Sequence, residues 1–254
     1  MKKKVYNIEK LMDIMYLLRE KCPWDRKQTL RSLISLTIEE VYELQQLIIE
    51  DKTKNLKNEL GDILMHIIFY CIICEEKDIF DLNDVINILI DKLVHRHPHV
   101  FKNQLITEKE VKKNWELLKI KEGKKSILEG VPDNSPSLIR AFRIQDKVSG
   151  VGFDFDNNKE VINKIKEEIL ELEQAILSKN KNNIDMEFGD VLFSLVNYAR
   201  HIKVDPESAL QKSNNKFVSR FKNMELDLDK NRLDFNNIKK EQLSKYWEKQ
   251  KIKK

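Results

Sequence analysis

The 254-residue chain has few of the residues that interrupt helices and turn strands, with six glycines and five prolines. Folds with many short strands need such residues at their turns, so an all-β fold is not expected. Three cysteines are too few for a disulfide framework, which favours a reducing compartment. The N-terminus lacks the apolar segment of a signal peptide. We therefore predict a cytoplasmic protein.

Long apolar runs and phosphate-binding loops are also missing. The longest apolar run, residues 63–74, contains His66 and is too short to cross a bilayer, so no membrane partner is expected. No glycine-rich loop of the Walker type is present. None of the five histidines has a glutamate three residues before it, which argues against a di-iron carboxylate bundle. The net charge of +4 comes from interspersed acids and bases, so we expect no stable nucleic-acid binding.

The composition of the chain, with 41% hydrophobic and 35% charged residues, is typical of a helical protein. Apolar spacing and capping signals predict the helix positions. In the first half, the predicted helices span about 8–20, Asp25 to Glu50, 54–76 and 81–97. A further predicted helix begins at a Thr107–Glu110 capping box and carries Trp115. In the second half they span about 158–178 and 184–202, separated by a turn at 180–183, and a further helix begins at Asp205–Pro206.

One acidic pattern occurs twice, 128 residues apart and without insertion or deletion. The first copy is Glu39, Glu40, Glu43, Glu59 and Asp62, and the second is Glu167, Glu168, Glu171, Glu187 and Asp190. Basic and tryptophan-containing segments follow both copies. A repeat of this length predicts two similar domains. We therefore predict an all-α fold with domains at 1–122 and 138–254 and a linker at 123–137.

The spacing of the acids predicts that they converge. Residues three or four apart share a helix face, and a short turn makes the two helices antiparallel neighbours. Each facing pair is equidistant from the turn, centred on residue 51 in the first half and 179 in the second. We expect Glu171 to face Glu187, and Glu168 to face Asp190 one turn further on. A solvated acidic face is the alternative, but apolar segments follow Asp62 and Asp190 directly.

Clustered carboxylates beside a core would repel one another unless a cation bound them. Oxygen-only ligands favour Mg²⁺, with Mn²⁺ also acceptable, over zinc. Gly61 and Gly189 lie inside these helices, where we expect a helix or a ligand to approach closely. Glu167, beside the ligands, is our candidate general base.

Magnesium sites commonly pair with substrate phosphates, and nearby cations fit that role. Lys164 lies one turn before Glu168, and Lys216 and Arg220 share a helix face. Trp247 is a candidate for stacking on a base, or alternatively a core aromatic. In the first half, Lys92 and Arg96 correspond to Lys216 and Arg220. Leu36, however, occupies the position that corresponds to Lys164 in the second half. The second half is therefore the predicted main nucleotide site.

These residues resemble the MazG family of nucleoside triphosphate pyrophosphohydrolases. The similar motifs are the two acidic patterns, Cys22-Pro23-Trp24-Asp25, residues 96–101, Val151-Gly152-Phe153-Asp154 and Phe188-Gly189-Asp190. The resemblance implies a homodimer of all-α subunits that complete a helical bundle, Mg²⁺, and cleavage of NTP to NMP and pyrophosphate. It implies that Glu168, Glu171, Glu187 and Asp190 hold metal. It also implies that Lys164, Lys216, Arg220 and Trp247 contact nucleotide.

The predicted reaction is attack of water on the α-phosphorus, in house-cleaning or control of nucleotide pools. Glu40, Glu43, Glu59 and Asp62 form the second predicted metal site, with Lys92 and Arg96 as its phosphate site. Two alternatives remain open. One is a helical interaction scaffold whose metal sites are vestigial, and the other is a nucleotide sensor that binds without cleavage.

Overall fold

The computed structural model describes residues 6–101, 107, 110–111 and 125–252, and every regular element in those ranges is helical. Contacts between Cα atoms divide the chain into two units, residues 1–106 and 107–254. The described helices of the first unit are α1 (Ile8–Lys21), α2 (Ser32–Ile49), α3 (Leu56–Glu75), α4 (Leu82–Arg96) and the short α5 (Pro98–Phe101). Those of the second are α6 (Ser137–Gly150), α7 (Asn158–Ser178), α8 (Lys181–His201), α9 (Pro206–Lys230) and α10 (Lys240–Ile252). The all-α prediction is confirmed.

Local capping signals mark the start of several helices. The side chain of Asn157 accepts hydrogen bonds from two backbone amides at the start of α7. The side chain of Asp205 accepts one such hydrogen bond, from the amide of Ser208, at the start of α9, whose first residue is proline. Asp81 and Asp84 form a reciprocal capping box at α4. These side chains satisfy amides that have no partner within the helix, so the starts of these helices were predictable from sequence.

Two helix starts differ from the prediction. α2 begins at Ser32 rather than after Asp25, because Asp25–Lys27 form a separate 3₁₀ turn. Thr29 and Ser32 then exchange backbone-to-side-chain hydrogen bonds of 2.8 and 3.1 Å, which starts the helix. α8 begins at Lys181, three residues early, because Asn180 caps it instead of lying in a longer turn.

Each unit contains one long helical hairpin, α2 with α3 and α7 with α8, and the helices of each hairpin pack against each other. The chain reverses at Asp51 in the first and Lys179 in the second. Both residues adopt left-handed backbone, with φ of 55° and 56°. They lie 128 residues apart, as the acidic patterns do. The predicted turn centres are therefore confirmed.

The first unit buries its hairpin against α1. Its core comprises Met15 from α1, Leu33 from α2, and Ile68, Phe69, Ile72 and Ile73 from α3. Arg19 of α1 fixes the loop before α2. Its guanidinium donates to the Glu76 carboxylate and to the backbone carbonyls of Asp25 and Gln28. This link holds the Cys22–Asp25 motif against the end of α3.

The second unit has an equivalent link between a loop and its hairpin. Asp154 accepts hydrogen bonds from both terminal nitrogens of Arg200 and from Nε2 of His201. Burial alone would raise the pKa of Asp154, but hydrogen bonds from Arg200 and His201 outweigh it and hold that pKa below its usual value. The Val151–Asp154 motif is thereby fixed at the end of α8.

The predicted domain boundaries stay predictions. The contact division falls at residue 106, before the predicted linker of 123–137. Part of that linker is held by the second unit, because the buried Lys147 donates to the carbonyls of Ile127 and Glu129. The Thr107–Glu110 capping box is confirmed, whereas Trp115 lies outside the described residues.

Across the ranges that the structure describes, no helix combines the length and the apolar character needed to cross a membrane.

Candidate metal and nucleotide site

Three acidic side chains of the second unit converge between α7 and α8. One carboxylate oxygen each from Glu168, Glu171 and Glu187 lies within 4.8 Å of the others. The first two are one turn apart on α7, and the third faces them from α8 because the turn at Lys179 sets the register. The predicted convergence of these three is confirmed, and their role as metal ligands stays a prediction.

Asp190 does not join this group. It lies one turn after Glu187 on α8 and its side chain is exposed. Aspartate is one methylene shorter than glutamate, so its carboxylate reaches less far from the helix. The cluster of three therefore combines Glu171 and Glu187 of one predicted level with Glu168 of the other, and the predicted pairing of Glu168 with Asp190 stays a prediction.

Desolvation and mutual repulsion among these carboxylates raise the pKa of Glu171. Desolvation raises the pKa of Glu171, and the negative charges of Glu168 and Glu187 raise it further. Lys164 acts in the opposite direction on the same carboxyl. The cluster thus favours the approach of positive charge, whether a proton, a lysine or a metal ion.

Lys164 contacts carboxylates in this structure. Its Nζ lies 2.7 Å from Oε1 of Glu167 and 2.7 Å from Oε1 of Glu168. Hydrogen bonds to Glu167, and next in effect to Glu168, raise the pKa of Lys164, so its side chain is positively charged at neutral pH. Glu168 is buried, with a relative exposure of 6%. Lys164, which was predicted to bind phosphate, therefore binds the predicted general base, Glu167, and one predicted metal ligand, Glu168.

The remaining predicted nucleotide contacts lie on the last two helices. Lys216 and Arg220 lie one turn apart on α9, which packs against α8, with Lys216 exposed and Arg220 half-buried. Trp247 of α10 packs against Phe217, with 5.0 Å between ring centroids. It also adjoins the core cluster formed by Met224, Leu228 and Ile238. The alternative role of Trp247 as a packing aromatic is thus observed, and base stacking stays a prediction.

The first unit repeats the carboxylate cluster. Oxygens of Glu40, Glu43 and Glu59 also lie within 4.8 Å of one another. Desolvation and the charges of Asp62, Glu43 and Glu59 raise the pKa of Glu40. Desolvation, the charges of Glu43 and Asp62, and a hydrogen bond with Glu43 raise the pKa of Glu59. Leu36, at the position of Lys164, packs against the core and supplies no charge.

The first unit's predicted phosphate site, Lys92 and Arg96, lies on α4, one turn apart. α4 packs against α3, the helix that supplies Glu59 to the cluster. Lys92 is exposed and Arg96 is half-buried. The structure therefore supplies the predicted pair on one helix face, and its phosphate role stays a prediction.

The two hairpin glycines have open space around them. A Cβ atom added to Gly61 or Gly189 would meet no atom within 4 Å apart from the adjoining residues and backbone of its own helix. The expected close approach of another helix of the same chain is therefore not observed at either position. The approach of a ligand there stays a prediction.

Two contacts that tie other elements of the second unit to α8 were not predicted from the sequence. Gln145 of α6 is buried and donates to the backbone carbonyl of Phe193, which ties α6 to α8. Asp154 belongs to a motif that the sequence made visible, but its partners Arg200 and His201 lie 46 and 47 residues away. Local patterning carries no signal for such long-range pairs.

Comparison with known proteins gives a consistent result. The family described as MazG nucleotide pyrophosphohydrolase domain matches residues 28–101 and 156–224, which include both carboxylate clusters. The chain is 44% identical over 248 residues to a nucleoside triphosphate pyrophosphohydrolase/pyrophosphatase of Thermotoga maritima, covering 96% of this chain and 95% of that protein. It is 36% identical over 253 residues to a nucleoside triphosphate pyrophosphohydrolase of Escherichia coli K12, covering 95% of each. It is also 38% identical over 232 residues to the uncharacterized protein YabN of Bacillus subtilis, covering 89% of this chain and 47% of that protein.

Proposed function

The chain belongs to the MazG family, and on that premise we propose that it hydrolyses nucleoside triphosphates to nucleoside monophosphate and pyrophosphate. The observation that carries this proposal is the convergence of Glu168, Glu171 and Glu187 on one face of a helical hairpin. Two similar proteins that match nearly the whole chain are named for this activity. We further propose a role in house-cleaning or in control of nucleotide pools, in the cytoplasm.

The donor set fits magnesium. All three converging groups are carboxylates, and magnesium prefers oxygen ligands at about 2.0–2.1 Å. Oxygens bound to one such ion are about 3–4 Å apart, so small side-chain rotations suffice to close the observed cluster. Glu168, Glu171 and Glu187 would hold the ion, with Asp190 as a further proposed ligand. When bound, Mg²⁺ or Mn²⁺ would neutralise phosphate charge and stabilise the charge that develops during the reaction.

The chain's own side chains would bind and orient the reactants. Lys216 and Arg220 supply positive charge for the phosphate oxygens, and the planar guanidinium suits bidentate contact. Trp247 is the proposed stacking partner of the base. Phosphoryl transfer depends mainly on positioning and electrostatic stabilisation, which fits a site made of carboxylates and cations.

Glu167 is the proposed general base. In this structure its Oε1 accepts a hydrogen bond from Lys164, and in the reaction its carboxylate is the proposed acceptor of the proton from water. The water oxygen forms a bond to the α-phosphorus, and the bond from that phosphorus to the bridging oxygen breaks. The electron pair of the broken bond leaves with pyrophosphate.

We also propose a homodimer. The hairpin helices of the second unit expose Leu170, Leu177 and Phe188, whose relative exposures are 56%, 81% and 54%. Apolar side chains exposed together on one hairpin are typical of surfaces that bind another protein. A second copy of the chain would cover them and complete a helical bundle.

The test is a product analysis with the full-length protein, Mg²⁺ and a panel of triphosphates. We expect equal amounts of monophosphate and pyrophosphate, abolished by EDTA. Glu171→Gln should lower the rate at least about a hundredfold, because it removes a carboxylate from the metal cluster. Release of diphosphate and phosphate would contradict the proposed reaction. Nucleotide binding without any turnover would instead favour a sensor.

A further inference from the structure

Lys164 places a cation of the chain on a carboxylate of the proposed metal site. Its Nζ lies 2.7 Å from Oε1 of Glu168 and equally close to Oε1 of Glu167. Glu168 is the most buried member of the three-carboxylate cluster. A carboxylate oxygen that accepts a hydrogen bond from an ammonium group offers less charge to a metal ion, and the two cations repel each other at that distance.

The first unit shows that the lysine is not needed to bring the acids together. Glu40, Glu43 and Glu59 converge within the same 4.8 Å limit as their second-unit counterparts. Leu36 occupies the position equivalent to Lys164 and faces the core. The same arrangement of carboxylates therefore forms with and without the internal cation. A purely structural role does not account for Lys164.

The side chain of Lys164 is suited to two alternative partners. It is 37% exposed, so its head group remains in reach of solvent and of a bound ligand. Lysine carries a point charge on a flexible four-carbon stem, and it can exchange a carboxylate for a phosphate by rotamer changes. A metal ion arriving at Glu168 would displace the ammonium, and a triphosphate would offer it a new anionic partner.

We propose that Lys164 competes with the metal ion for Glu168 and is transferred to the triphosphate when metal and substrate bind together. The inference rests on the proposed function, since it assumes a metal at this cluster. It makes metal and triphosphate binding mutually dependent in the second unit, and this coupling must be equal in both directions. Metal without substrate would bind weakly, which limits occupation of the site in the absence of nucleotide.

The experiment measures Mn²⁺ binding without nucleotide, by the electron paramagnetic resonance signal of free Mn²⁺. The full-length protein carries Glu43→Gln and Glu59→Gln, so that the bound Mn²⁺ reports the second unit. We expect Lys164→Met to tighten Mn²⁺ binding by about tenfold, because a partly exposed competing cation is removed. Loss of structure would weaken binding, so the sign of the change separates competition from misfolding.

Two variants serve as controls. Lys164→Arg keeps a cation beside Glu168 and should bind Mn²⁺ no more tightly than the Lys164 protein. Lys159→Met removes one charge from an exposed position on the same helix and should leave Mn²⁺ affinity within about twofold. An equal gain in Lys159→Met would show a general charge effect and would overturn the proposal.

A second titration repeats these measurements with α,β-methylene ATP as the triphosphate, whose affinity is measured by equilibrium dialysis with and without Mn²⁺. In the Lys164 protein, Mn²⁺ should strengthen triphosphate binding, and Lys164→Met should reduce that coupling at least about fivefold. Unchanged Mn²⁺ affinity and coupling in Lys164→Met would overturn the competition while leaving the metal site intact. Absence of Mn²⁺ binding in every variant, with or without the triphosphate, would overturn the metal site and the competition with it.

Discussion

Replacement of Arg19 by methionine should destabilise the first unit and release the loop before α2. The guanidinium donates to Glu76 at 2.7 and 2.8 Å and to the carbonyls of Asp25 and Gln28 at 2.6 and 3.0 Å. Its side chain is 13% exposed, whereas that of Glu76 is 42% exposed. Water can therefore replace the arginine at Glu76 more readily than at the two carbonyls.

The magnitude follows from these partners. Two part-buried carbonyls that lose a charged donor cost about 1 kcal/mol each. The half-exposed ion pair adds about 1 kcal/mol at most, because water screens the remaining carboxylate. The guanidinium carbon Cζ of Arg19 also lies 5.7 Å from the centroid of the Phe69 ring, where methionine supplies a flexible apolar side chain in its place. We expect a loss of about 2–3 kcal/mol in the free energy of unfolding.

Native-state hydrogen exchange measured by mass spectrometry reports this loss for the first unit separately, from the amides of α3. Urea unfolding followed by circular dichroism provides a second measurement. Arg26→Met is the matched control, since Arg26 is exposed and its loss should change stability by less than about 0.5 kcal/mol. A loss below about 1 kcal/mol in Arg19→Met, or an equal loss in the control, would refute the reasoning.

Three further predictions concern charge. Because the pKa of Glu171 is raised, protons compete with the metal at a higher pH than they would at an ordinary glutamate. In a calorimetric series of decreasing pH, Mn²⁺ affinity should therefore begin to decline above the range in which an ordinary glutamate takes up its proton. Glu40→Gln should raise the thermal unfolding midpoint of the metal-free first unit by about 2–4 °C at pH 7. Desolvation and repulsion by neighbouring carboxylates raise the pKa of Glu40, and glutamine removes that repulsion. The gain should vanish well below pH 4, where Glu40 is protonated in both the folded and the unfolded protein. Asp154→Asn should lower the free energy of unfolding by about 2 kcal/mol at pH 7, measured by urea unfolding, because Arg200 loses its charged partner. Since the pKa of Asp154 is lowered in the folded protein, the difference between the two proteins should disappear as acid protonates this carboxyl below its usual pKa. A pH-independent deficit in Asp154→Asn would argue against the ion pair as its cause.

The parts of the fold that local interactions determine were predictable from the sequence. Asn157 and Asp205 cap helices through amides two or three residues away, and both starts agree with the prediction. The hairpin register followed from the spacing of Glu171 and Glu187 around residue 179, since helix rise is constant. The start of α2 differs from the prediction where contacts reach beyond one helical turn: Arg19 of α1 binds the carbonyls of Asp25 and Gln28, and the chain there forms a separate turn.

The residues that form the carboxylate cluster were predictable from the sequence, but the contacts that their side chains make were not. Spacing alone places Lys164 one turn before Glu168, which allows either a phosphate or a carboxylate as its partner. The choice depends on side-chain rotamers and on the charges nearby. The position of Asp190 outside the cluster has the same origin, because helix geometry fixes where a Cβ lies and not how far its carboxylate reaches.

In the proposed reaction, water attacks the α-phosphorus of a nucleoside triphosphate at the carboxylate cluster of the second unit. Hydrolysis in ¹⁸O-labelled water, with mass spectrometry of both products, tests it most directly. We expect one ¹⁸O atom in the monophosphate and none in pyrophosphate. The reaction should depend on Mg²⁺, should slow at least about a hundredfold in Glu171→Gln, and should persist in Glu43→Gln. Label in pyrophosphate, or full activity in Glu171→Gln, would contradict it.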